Sequence, residues 1–88
     1  MARRQLKVGG ATNVNKLSGA ILSVLEEGNT PELIAVGMSA VNQAVKACIV
    51  AKGNAYKKGK LLNTIPSFTL VDIEGNSRDA IKIVVEET

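Results

Sequence analysis

The chain has 88 residues, 45% of them hydrophobic and 22% charged, and a net charge of +3 at pH 7. That length suits a single domain, here 1–88, with a core too small for a large enclosed pocket. The composition excludes a disordered chain, and no apolar run approaches the roughly 20 residues of a membrane helix.

In chain order, residues 1–4 predict a mobile N-terminus, and Gln5–Val8 a short strand that Gly9-Gly10 breaks. Thr12 or Asn13 can cap a helix on which Val14, Leu17, Ile21, Val24 and Leu25 recur at helical spacing. Gly28-Asn29 ends it, with Pro31 beyond. Glu32–Val36 is a compact apolar run, as in a strand buried on both faces. After Gly37, Ser39 can cap a second helix whose apolar face is Met38, Val41, Val45, Cys48 and Ile49, closing at Gly53-Asn54. Lys57-Lys58-Gly59-Lys60 reads as a loop. Leu61–Ile73 is strand-forming, with Pro66 demanding an edge, a bulge or a bend. Glu74-Gly75-Asn76 is a turn, and its shortness predicts a short hairpin arm; Arg78–Glu86 alternates as a strand.

The order β-α-β-α-β-β predicts an α+β fold, a two-layer α/β sandwich with both helices on one face of a four-stranded sheet. The other face would be open and carry Gln5, Lys7, Lys82 and Val84, a mixed surface suited to self-association. Only Tyr56 and Phe68 are aromatic, so the core must be Val, Ile, Leu and Ala.

The acids are segregated. None precedes Glu26, and none lies between Glu32 and Asp72, whereas Lys46, Lys52, Lys57, Lys58 and Lys60 do. Such patterning can leave a basic surface for a polyanion. The strand-to-helix loops, with Gly10, Thr12, Asn13 and Ser39, share one end of the sheet with Lys16, Asn42 and Gln43. Helix N-termini offer unpaired N–H groups and partial positive charge, and glycine lets phosphate approach the backbone. The same residues would equally serve as caps and tight turns. Arg3, Arg4, Lys57, Lys58 and Lys60 form a possible secondary basic patch, where Tyr56 could stack on a base.

Catalysis is not expected. There is no histidine, no outstanding acid pair, no metal-ligand spacing and no Walker-type phosphate loop. Cys48 stands alone, so no intrachain disulfide can form and no histidine can activate it. Met1-Ala2-Arg3-Arg4 leads into Gln5-Leu6-Lys7 rather than an apolar stretch, so no signal peptide and a cytoplasmic location are expected. No cofactor, metal or membrane partner is expected either.

Three segments carry a resemblance: Val36-Gly37-Met38-Ser39-Ala40-Val41-Asn42-Gln43-Ala44-Val45-Lys46-Ala47, Ile65-Pro66-Ser67-Phe68-Thr69, and Ala80-Ile81-Lys82-Ile83-Val84-Val85-Glu86. Over Leu6 to Glu86 the chain resembles the stage V sporulation protein S family, small bacterial regulators tied to spore formation. The resemblance implies an Alba-like fold, and Alba proteins are dimers that grip DNA or RNA. It implies RNA or DNA as ligand, a homodimer, and a non-catalytic regulatory role. Carried over by position, contacts fall on Gly10, Ala11, Thr12, Asn13, Ser39, Asn42, Gln43 and the Glu74–Asn76 turn. The charge pattern adds Lys7, Lys16 and Lys46. The alternative is a protein-interaction or assembly module that acts in sporulation or cell-development control without binding nucleic acid.

Overall fold

The computed structural model describes residues 2–88. Six elements follow one another: β1 (Arg3–Val8), α1 (Val14–Glu26), β2 (Thr30–Ala35), α2 (Met38–Lys57), β3 (Leu62–Ile73) and β4 (Asn76–Glu87). The sheet order is β1-β2-β4-β3. β1 pairs parallel to β2, while β4 runs antiparallel to both its neighbours. The first three strands therefore share a direction, and both strand-to-helix loops lie at one end, as expected.

Local chemistry sets the boundaries. The Asn13 side chain accepts from the Lys16 N–H at 2.9 Å and starts α1. Gly28, at φ 83°, stops it: its N–H donates to Leu25 O and that of Asn29 to Val24 O. Gly59, at φ 78°, stops α2 in the same way, with the Gly59 and Lys60 N–H groups donating to Tyr56 O and Ala55 O. The two proline positions fit the pairing. Pro31 faces only Arg4, because the pairing of β2 with β4 begins at Glu32. Pro66 lies in β3, an edge strand, as its missing N–H requires.

The core joins both helices to one face of the sheet. Val8, Leu33, Ala35, Ile83 and Val85 point into it from the strands, with Leu17 and Ile21 from α1. No aromatic enters; Phe68 is 83% exposed and Tyr56 71%.

Four expectations are corrected. Arg3 and Arg4 are not a mobile arm but the first residues of β1, paired with Thr30 and Pro31. α2 does not close at Gly53-Asn54; the burial of Ala51 and Ala55 carries it on to Lys57, outweighing the poor helix propensity of glycine. Lys57 is thus helical rather than part of a loop. The buried face of α2 is Ala40, Ala44, Ala47, Cys48, Ala51 and Ala55, while Met38, Val45 and Ile49 remain exposed. Small side chains let the helix lie close to its neighbours, and the bulky ones are left outside. Finally, the Glu74-Gly75 turn is tight, with φ of 51° and 81°, yet its arm is long. β2 ends opposite Ile81, so the pairs from Thr69–Ala80 to Ile73–Asn76 extend beyond the sheet as a two-stranded arm about 17 Å long.

Candidate functional site

The β1–α1 loop is a closed turn. The Thr12 N–H donates to Gly9 O at 3.1 Å, and the Gly9 N–H donates to Thr12 Oγ1 at 2.8 Å. Gln43 Nε2 then donates to Thr12 O at 2.8 Å, tying the loop to the second turn of α2. Gly10 lies so close to Ser39 that an added Cβ would stand 2.9 Å from Ser39 Cβ. Gly10, Thr12, Asn13, Ser39 and Gln43 therefore meet at one end of the molecule. Three of them spend their side chains on architecture: Asn13 as the α1 cap, Thr12 within its turn, and Gln43 as the tie. Gly37, at φ 88°, precedes α2 and no side chain caps that helix. Neither α1 nor α2 has an acidic residue in its first turn. Two helix N-termini without a nearby acid thus share this end, that of α1 capped by Asn13 and that of α2 without a side-chain cap.

The remaining residues of the predicted set are spread out. Lys16 is exposed in the first turn of α1, and Lys46 is exposed on α2. Asn42 lines an apolar groove beside α2 rather than the loop. Lys7 alternates away from Leu6 and Val8, onto the sheet face opposite the helices. The secondary patch is not a free basic cluster. Arg3 Nη1 donates to Glu32 Oε2 at 2.7 Å, and Arg4 Nη2 to Glu27 Oε1 at 3.5 Å. Lys58 and Lys60 share a small cleft with Glu26 and Glu87.

Sequence reasoning missed the groove. It measures about 530 Å³ and runs between α2 and the β3–β4 arm, lined by Met38, Val41, Val45, Phe68 and Ile81. A second cleft of about 270 Å³ continues it past Val45 to Ile49, Lys52 and Pro66. The exposed Leu70 stands farther along the same row of β3 as Phe68. The sequence placed Val45 and Ile49 on an apolar helix face; what it could not show is that the alanines would take the core. The exposed apolar surface therefore lies here rather than mainly on the open sheet face.

Cys48 is buried at the edge of the second cleft. Burial pushes its thiol up from an ordinary 9.0, with Lys52 acting in the opposite sense. Among the described residues no three His, Cys, Asp or Glu side chains group as a metal site, and no helix is long and apolar enough to cross a membrane.

The family profile described as Stage V sporulation protein S (SpoVS) matches residues 4–88. The chain belongs to that family. Membership supports a role related to sporulation. The match takes in every element of the fold: the docked β1–α1 loop, the alanine-faced α2 and the long arm are all features of a SpoVS chain.

Proposed function

We propose that this SpoVS-family chain is a non-catalytic, nucleic-acid-binding regulatory protein, acting as a homodimer and holding RNA or DNA mainly through phosphate contacts. The observation that carries this reading is the loop end. The tie from Gln43 to Thr12 holds two helix N-termini together, without an acid in either first turn. Gly10 lets the loop pack against Ser39 at the start of α2, Lys16 is exposed in the first turn of α1, and Lys46 is exposed farther along α2. The groove beside α2 supports the homodimer, since a chain this small gains stability by covering such a surface.

Titrating labelled RNA and DNA at two salt concentrations tests the reading. Phosphate-led affinity falls steeply with salt, with a log–log slope of about −0.7 to −0.9 per contact. Absence of binding at low salt defeats it. The groove also favours a second reading, in which assembly is the whole function and nucleic acid plays no part. In that case a groove variant such as Phe68→Asp abolishes function, and Lys16→Glu leaves it intact.

A further inference from the structure

The sheet face opposite the helices has its own charge pattern. Two cross-strand rows define it: Gln5–Glu32–Val84–Ile65 and Lys7–Ile34–Lys82–Ser67. Along β4 the same alternation adds Arg78, opposite Val71 on the arm. Among the described residues, Lys7, Lys82 and Arg78 have no carboxylate within ion-pair distance, whereas Glu32 on this face is occupied by Arg3. Asp72 and Asp79 alternate to the other side of the arm; Glu86 shares this face but lies four residues beyond Lys82, at the end of β4 away from Arg78. The arm therefore separates its charges: Asp72 and Asp79 lie on one side with Phe68 and Leu70, and Arg78 lies on the other with Thr69, Val71 and Ile73.

We infer that the uncovered sheet face, along Lys7, Lys82 and Arg78, is a track for the sugar–phosphate backbone of nucleic acid. The inference rests on the nucleic-acid reading above and names a surface that reading leaves out. Lys7 and Lys82 are two strand spacings apart, about 10 Å, and Arg78 lies about 13 Å farther along β4. Lys7 is followed by Val8 and then the Gly9–Thr12 turn, so the track starts beside the loop end and runs onto the arm. The apolar grooves around α2 open on the opposite side, so this face offers no socket for a protein anchor. It carries no aromatic either: Phe68 alternates to the helix side and Tyr56 lies on α2. A surface with cations and neutral donors such as Gln5 and Ser67, but nothing to stack on, recognises backbone and not bases.

The test uses the full chain with labelled single-stranded RNA and duplex DNA of mixed sequence, read by fluorescence anisotropy across a salt series. Lys7→Gln with Lys82→Gln is expected to weaken binding at least tenfold at low salt. The log–log salt slope should shrink by about 1.5, the value for two lost phosphate contacts. Arg78→Gln, out on the arm and away from the core, should shrink it by about half as much. Lys57→Gln with Lys60→Gln, at the far end of α2, should leave both unchanged. If wild type binds and the Lys7/Lys82 pair does not alter slope or affinity, the track is overturned while the nucleic-acid reading stands. If wild type does not bind at low salt, both fall. Equal weakening by the Lys57/Lys60 pair also overturns the track, because it reduces the effect to net charge.

Discussion

Gly10 shows how one missing side chain positions the loop. Alanine there would put a carbon 2.9 Å from Ser39 Cβ, an atom fixed to the start of α2 with no rotamer of escape. We expect Gly10→Ala to cost about 1–3 kcal/mol in urea unfolding, the usual range for overpacking. Much of that cost should vanish in a double-mutant cycle with Ser39→Gly, because the clash needs both atoms. Cys48 gives a second prediction at this scale. Its folded thiol titrates above the ordinary 9.0 because burial disfavours the thiolate. Above about pH 9 the unfolded chain therefore gives up its proton first and binds fewer protons than the native state. Stability must then fall as pH rises through that window, by at most about 1.4 kcal/mol per unit. Below it, the contribution is flat. Thermal melts of wild type and Cys48→Ala from pH 7 to 10.5 should diverge only at the alkaline end.

Among the elements, α2 is the one that composition and structure treat differently. Gly53 lies within it, exposed, and an added Cβ would meet nothing within 4 Å. Gly53→Ala should therefore stabilise the protein by about 0.5–1 kcal/mol, by raising helix propensity and restricting the unfolded chain. A decrease in the urea midpoint would show that the position is not helical in solution. The element order was legible because glycine and proline punctuate it: Gly28, Gly37, Gly59 and Gly75 all adopt positive φ where an element ends or turns. The buried face of α2 was not legible. Hydrophobicity favours Val45 and Ile49, but close packing favoured Ala44, Ala47 and Ala51. The arm was misjudged for a related reason: turn chemistry at Glu74-Gly75 sets the loop, whereas pairing on β4 sets how far the strands run. In the candidate site, period-two alternation already put Lys7 and Lys82 on one face. The consumption of the Gln43 side chain by its bond to the Thr12 carbonyl depends on residues 31 apart meeting in space, which no local pattern encodes.

For the whole molecule, the unresolved demand is the surface between α2 and the arm. The molecule is elongated, 43 × 26 × 17 Å. Its only phenylalanine stands 83% exposed beside Met38 at 88% and Leu70 at 67%. Charges mark the ends of this surface: Asp79 lines the wider groove and Lys52 the narrower cleft. A two-fold axis crossing α2 reverses one copy against the other, since an isologous contact sets each patch on itself. Lys52 of one copy would then approach Asp79 of the partner subunit, with the apolar residues covered between them. Phe68→Asp should halve the mass seen by light scattering at micromolar concentration, with the far-ultraviolet circular dichroism retained because Phe68 lies outside the core. Asp79→Lys should weaken the dimer at least tenfold by setting like charges at both ends, and adding Lys52→Asp should recover most of the loss. A wild-type chain that runs as a monomer at that concentration overturns the dimer. A dimer indifferent to Phe68→Asp moves the contact to another face, and the open sheet face would then be the first place to look, in direct competition with the phosphate track.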